Sequence, residues 1–232
     1  MMLICPVRPG DQNDELRYAM RSWETNLVFP EGLILVTVGH KPSWVNPDYH
    51  LDGNRYPSTP AAVWDNVMIG SEYAASDRDE VLYMNDDFFC MDPMSSVLPV
   101  RRNINLAQHC AVFPNVTGQW WPESLALTAS WLSGAGFPHP DSYEVHRPLL
   151  GSPRGMISAL SQWDGDLNGV VPQWRTIYGV LNEVEAYPVV DVKLGHKVSG
   201  VGSPWISTSP SSWRKWHRAI AGRFQKPSRW ES

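Results

Sequence analysis

Two kinds of apolar patterning run along this chain. Residues 2–7, MLICPV, form an unbroken apolar run, and residues 32–39, GLILVTVG, form a second one rich in β-branched side chains. Short continuous runs of this kind predict strands buried on both faces. Between them, Leu16, Met20, Trp23 and Leu27 recur at helical spacing, and Asn13 or Asp14 is placed to cap that helix. Strand, helix and strand in this order favour a parallel sheet. Residues 40–60 are a polar loop region with room for a short strand. Residues 61–74 predict a helix with Val63, Val67, Tyr73 and Ala74 on one side, and residues 80–90 predict the next strand and its end.

Beyond Pro93 the pattern is less regular. Helices are predicted over 123–136, over 152–163 with Ser152 as cap and Pro153 in the first turn, over 174–184 and over 211–224. Residues 143–150, 187–194 and 205–209 read as extended. No repeat and no low-complexity segment interrupts them. A chain of 232 residues is long enough to bury one sizeable core. Its 12 Trp, with 20 Pro against 17 Gly, suggest ordered loops rather than a helical bundle.

No run of about 18 apolar residues is present, which argues against a membrane span. The amino-terminal residues lack the basic and apolar regions of a signal peptide, so a cytoplasmic protein with no membrane partner is expected. Cys5, Cys90 and Cys110 are odd in number and widely spaced. That spacing suits buried free thiols in a reducing compartment rather than a zinc site or a disulfide framework.

Charge sharpens the picture. The formal net charge is −5, yet the tail carries Arg214, Lys215, Arg218, Arg223, Lys226 and Arg229 against Glu231 alone. A basic tail on an acidic body suggests contact with a polyanion, DNA being one. Trp213, Trp216 and Trp230 are interleaved with these cations. They could stack on bases, or pack an amphipathic helix onto the body.

The chemistry centres on LYMNDDFFC, residues 82–90, where Asn85, Asp86 and Asp87 interrupt an apolar run. Ligands of open α/β sheets bind outside the carboxyl ends of strands. A carboxylate pair there suits Mg²⁺ or Mn²⁺ shared with phosphate oxygens, as in nucleotide-sugar transferases. Asp87 would be the main ligand, and Asp86 would help it or bond a ribose. The alternative is a strand-end turn whose carboxylates cap a helix or pair with Arg. Arg8, Gly10 and Asp11 follow the first predicted strand, where a glycine turn lets the backbone approach a nucleotide and Arg8 can face a diphosphate. Arg17 and Arg21, one helical turn apart, could reach that diphosphate or the acidic pair. Arg175 could balance negative charge in the site. Asp191 and Lys193 flank Val192 on a predicted strand and point to one face, where they could also pair with each other.

DELRYAMRSW at 14–23, PSWVN at 42–46 and YMNDDFF at 83–89 occur in that order. Together they resemble the Stealth family of sugar-phosphate transferases. PVRPGD at 6–11, YEVHRP at 143–148, RTIYGVLN at 175–182, DVKL at 191–194, WISTS at 205–209 and FQKPSRWE at 224–231 are similar to compact glycosyltransferases of actinobacterial phages. Arg8-Pro9-Gly10-Asp11 stands where Stealth proteins carry V-Y-T-W-V-[DN]-G-[ST]-D. YPSTPAA stands for their Asn-rich segment, keeping Ser58 and Thr59 without the amides.

The resemblance implies one GT-A-like, Rossmann-related α/β domain over 1–232, with a mainly parallel sheet and a C-terminal helix. Within it, 1–92 would bind the nucleotide, 93–204 would complete the metal and acceptor site, and 205–232 would be a basic helix and tail. It marks His146 as a site residue, either a metal ligand or a general base, with His196 as the competing histidine. It implies Asp87, His146 and Arg175 as catalytic residues. Arg8, Gly10, Asp11, Arg17, Arg21, Ser58, Thr59, Asn85, Asp86 and Lys193 would bind the donor, and Asp86, Asp87 and His146 would hold a divalent cation. The expected donor is a nucleotide-sugar, UDP-linked. The expected acceptor is a hydroxymethylated pyrimidine, hydroxymethylcytosine, in DNA. The other readings are a virion-protein glycosyltransferase, a sugar-phosphate transferase and a non-enzymatic nucleic-acid-binding module.

Overall fold

The computed structural model describes residues 1–53, 56, 59–113, 119–194 and 202–232. In chain order the elements are β1 (Met2–Val7), α1 (Asp14–Asn26), β2 (Ile34–Gly39), β3 (Tyr49–Leu51), α2 (Thr59–Ala74), β4 (Val81–Tyr83), β5 (Phe88–Cys90) and β6 (Val100–Arg102). There follow α3 (Leu106–Ala111), α4 (Trp120–Gly134), β7 (Leu149–Gly151), α5 (Pro153–Leu160), α6 (Trp174–Leu181), β8 (Tyr187–Val189), β9 (Trp205–Ser207) and α7 (Pro210–Arg223).

The central sheet has the order β3-β2-β1-β4-β7. Its first four strands are parallel, and β7 runs antiparallel to β4. This is a mixed α/β fold with a mainly parallel sheet and a C-terminal helix. The continuous apolar runs have a direct explanation. Leu3, Cys5, Leu35 and Leu82 face one core with Leu16, Met20 and Trp23 of α1. Met2, Ile4, Val36, Val81 and Tyr83 face a second core with Trp64 and Val67 of α2. Alternate residues thus enter opposite cores, which leaves these strands apolar except for Thr37 of β2, whose hydroxyl pairs with His50 Nδ1 at 3.0 Å.

Asn13 caps α1, its side chain accepting from the Leu16 amide at 3.1 Å. On α2 the buried seam is Ala61, Trp64, Asn66, Val67, Gly70, Ser71 and Ala74, while Val63 and Tyr73 are half-buried. The expected face shares Val67 and Ala74 with this seam and misses the rest, because small and polar residues occupy part of it. Gly70 lets the helix close on β1, since a Cβ there would lie 2.5 Å from Ile4 Cγ2.

Three extended segments differ from expectation. Residues 80–90 are not one strand: β4 ends at Tyr83, the chain turns, and β5 pairs antiparallel with β9 in a separate sheet. Strand structure in 187–194 is confined to β8, which pairs with β6; beyond it Lys193 makes one bridge to Ser207. In 143–150 strand structure begins only at Leu149.

A third apolar cluster joins Leu106, Leu125, Leu132, Tyr143 and Val180. The tail returns to the first core, where Ile220, Phe224 and Trp230 are buried. Trp213 stacks on Phe89 with ring centroids 5.8 Å apart, so it packs the helix rather than facing outward. All three cysteines are free thiols, Cys5 and Cys90 buried and Cys110 half-buried. Among the described residues no helix is long and apolar enough to cross a membrane.

Candidate active site

The turn after β4 places Asp86 and Asp87 at the carboxyl end of the parallel sheet, each only about 9% exposed. Buried carboxylates need partners, and each has a different set. Asp86 accepts from Asn13 Nδ2 at 2.7 Å and lies 3.2 Å from Arg8 Nε. Burial pushes its pKa up to about 6 against the pull of Arg8, and the neighbouring charge of Asp87 adds to the rise. Asp87 accepts from Ser207 Oγ at 2.8 Å, and Lys193 Nζ is 3.6 Å away.

Arg8 also binds the Glu15 carboxylate, which in turn accepts from Thr208 Oγ1. The two acids nearest Arg8 therefore share one guanidinium. Burial works against that charge, but Asp86 and Glu15 outweigh it and raise the Arg8 pKa.

A histidine–carboxylate pair forms the second half of the site. His146 Nδ1 is 2.7 Å from Asp191 Oδ2, and the His146 backbone amide donates to Asp191 Oδ1 at 2.9 Å. Arg102 Nη1 adds a contact of 3.2 Å to the same carboxylate. Burial alone would raise the Asp191 pKa, but the His146 bonds and the charge of Arg102 hold it well below the usual carboxylate range. Burial and then Lys193 push the His146 pKa down, against the pull of Asp191, and the net shift favours the neutral imidazole. With Nδ1–H donated to Asp191, Nε2 is the ring atom that carries the lone pair.

Arg175 links the halves. Its Nη1 donates to the Arg147 carbonyl at 2.8 Å and its Nη2 to Asn85 Oδ1 at 3.5 Å. Burial lowers its pKa to about 10, opposed by Glu144, Asp87 and Asp191. Glu144 is buried and accepts from the Thr176 amide at 3.0 Å and hydroxyl at 2.9 Å, which fixes the first turn of α6 beneath Arg175.

The remaining expected residues are placed as follows. Gly10 has φ of +128°, so glycine is needed there for the backbone alone. Asp11 is exposed, lies 3.5 Å from His40 Nε2, and accepts from Trp44 Nε1 through its carbonyl at 2.7 Å. Thr59 opens α2 and lines a cavity with Arg8. Ser58 and His196 lie outside the described residues. Arg17 and Arg21 find their partners in the tail and in Trp44. Arg21 forks onto Glu231 with two contacts of 2.7 Å, and Arg17 stacks over Trp44 at 4.4 Å with Glu231 at 3.7 Å. Both anchor the tail instead of approaching the acidic pair. Of the two readings of Asp191 and Lys193, the mutual pair is not the one formed: Asp191 takes His146 and Arg102 while Lys193 lies by Asp87.

The cation set is also corrected. Among the described residues no three His, Cys, Asp or Glu side chains are grouped to hold a metal. Asp86, Asp87 and His146 therefore do not assemble as three ligands of one ion. Mg²⁺ and Mn²⁺ commonly need one or two carboxylates with donor phosphates and water, and the Asp86–Asp87 pair fits that smaller role.

Glu15, Glu144, Ser207 and Thr208 partner the groups of the candidate site without being singled out by pattern, and pattern marks Asn13 only as a helix cap. Each lies inside a motif quoted above or beside one, but its partner lies far away in sequence.

No known family model matches the chain. An exopolysaccharide phosphotransferase of Streptomyces coelicolor is 26% identical over 224 residues, covering 90% of this chain and 34% of the relative. The chain thus spans about a third of the length of that curated relative. The apo crystal structure of mouse xyloside xylosyltransferase 1 aligns over 99% of this chain and 95% of its own, at 9% identity and a TM-score of 0.42.

Proposed function

We propose that this protein is a nucleotide-sugar-dependent transferase with a GT-A-like, Rossmann-related fold. It passes a sugar from a UDP-type donor to an acceptor hydroxyl. The observation that carries this reading is the meeting of Asp86 and Asp87, at the carboxyl end of β4, with Arg175 and the His146–Asp191 pair.

The chain's own groups divide the work. Arg8 lines the approach to Asp86 and faces the donor's phosphates. Asp87, helped by Asp86, is suited to hold Mg²⁺ or Mn²⁺ against those phosphates, where the ion would neutralise the leaving diphosphate. Lys193 and Arg175 add fixed positive charge beside it. His146 Nε2 takes the proton of the acceptor hydroxyl while Asp191 holds the ring and stabilises the imidazolium that forms.

Sugar-phosphate transfer is the second reading, favoured by the similarity to the Streptomyces phosphotransferase. The nucleotide product separates the two. Incubation with UDP-sugars, Mn²⁺ and acceptor should release nucleoside diphosphate in glycosyl transfer and nucleoside monophosphate in sugar-phosphate transfer. Release of neither from any donor overturns the proposal.

For the acceptor we favour hydroxymethylcytosine DNA, as in a phage-type enzyme, with a virion protein as the other substrate to assay. Arg214, Lys215 and Arg218 are exposed on α7 and support a polyanion contact. Arg223 and Arg229 support it less, since they bind Asp92 and Asp48. Digestion of treated DNA to nucleosides should yield a sugar-bearing base.

A further inference from the structure

The half-buried arginines Arg8, Arg17, Arg21 and Arg102 each meet a carboxylate. Arg147, half-buried as well, does not. Its Nε is buried without a hydrogen-bond partner, and no carboxylate of the described residues lies within ion-pair distance of it. None can come from residues 54–55, 57–58, 114–118 or 195–201, which include no aspartate or glutamate. Burial lowers the pKa of Arg147, and the charge of Asp191 offsets this only in part. A cation drawn out of water without a counter-charge is costly, and an anion arriving from outside relieves that cost.

The place of Arg147 in the fold narrows the choice of anion. It follows His146 and precedes β7, whose Leu149 pairs with Tyr83 at the carboxyl end of β4. Arg175 Nη1 holds the Arg147 carbonyl at 2.8 Å, which fixes the backbone there against the site. Asp191, the partner of His146, is the carboxylate whose charge bears on Arg147, whereas Arg8 and Lys193 lie against Asp86 and Asp87. Arg147 thus belongs to the His146–Asp191 half, where the acceptor hydroxyl arrives, and not to the half that faces the donor's diphosphate. A guanidinium fork matches two oxygens of a phosphate. Helix α7 begins just beyond Ser207, which donates to Asp87, and exposes Arg214, Lys215 and Arg218. A chain of phosphodiesters supplies an anion to each of these cations, and a lone carboxylate does not.

We infer that Arg147 binds a backbone phosphate of a nucleic-acid acceptor, next to the nucleotide whose hydroxyl reaches His146 Nε2. The inference rests on the transferase reading and adds to it a residue that recognises the acceptor by its charge.

Calorimetry of the full chain loaded with UDP and Mn²⁺ tests it. The probes are a trideoxynucleotide with hydroxymethylcytosine at its centre and the same molecule with both linkages replaced by uncharged methylphosphonates. Wild-type protein should bind the charged form about ten- to a hundred-fold tighter. Arg147→Met, which keeps an apolar stem and removes the charge, should bind both forms alike with UDP affinity unchanged. Arg147→Lys keeps the charge without the fork and should fall between. Arg154→Gln, which removes an exposed cation of α5, should keep the wild-type difference and so separates contact from bulk charge. Circular dichroism melts check folding, and if Arg147→Met does not fold, Arg147→Lys decides alone. A wild-type difference in the folded Arg147 variants overturns the inference and leaves the transferase reading standing. Wild-type protein that binds UDP but neither trinucleotide overturns the inference together with the DNA acceptor. Failure to bind UDP as well overturns the transferase reading too.

Discussion

Asp191 serves two atoms of His146 at once, the backbone amide and ring Nδ1. That double contact sets both ring orientation and tautomer. Asp191→Asn keeps the shape but can present an N–H to Nδ1, which favours the wrong tautomer. Transfer should fall by about 10²–10⁴-fold with nucleotide affinity unchanged, measured as kcat and Kd on the same preparation. A second histidine gives a pH prediction. His109 is buried against Ser142 Oγ at 2.8 Å, and burial, then the Arg102 charge, push its pKa from 6.5 to about 4. Between those values the unfolded chain holds a proton that the native state refuses. Stability from this group is therefore full above about pH 6.5 and declines as pH falls toward 4. His109→Gln should flatten the acid side of the stability profile, with a difference near pH 5 of about 2 kcal/mol in urea unfolding.

At the scale of elements, α2 and α7 are held by opposite devices. The first depends on closeness. Gly70 has no room for a side chain against Ile4, so Gly70→Ala should destabilise by about 1–3 kcal/mol despite alanine's better helix propensity. A thermal melt with a higher midpoint than wild type would sink that account. The second depends on a reciprocal cap: Ser209 Oγ accepts from the Ser212 amide, and Ser212 Oγ accepts from the Ser209 amide at 2.7 Å. Ser209→Ala should cost about 1 kcal/mol, read as a melting shift of about 2–4 °C. Neither change touches the acidic pair, so nucleotide binding serves as the control.

For the whole molecule, the last residues close the fold. Trp230 is buried to 1% exposure in the first core and its Nε1 donates to Asp48 Oδ2 at 2.9 Å, while Glu231 clasps Arg21. Trp230→Ala should lower stability by about 3–5 kcal/mol, seen in urea unfolding, although it lies outside the candidate site. Arg17 and Arg21 belong to this closure. In sequence they look like donor-binding cations, and helical spacing does put them on one face. Which anion they meet is settled by a tail some 200 residues away.

The strands β1 and β2, helix α1 and the position of Asp86 and Asp87 could be read from local pattern, because periodicity, capping and a strand's carboxyl end are properties of neighbours in the chain. The division of residues 80–90 into two strands could not, since β5 finds its partner in β9. Nor could the Glu15–Thr208 bond or the His146–Asp191 pair. Each depends on side chains brought together by long-range packing, and hydrogen bonds between distant residues leave no period in a sequence. The chain's local order thus determined the first parallel strands and the place of the acidic pair, while only the tertiary structure decided the sheet's antiparallel edge and which charges face one another.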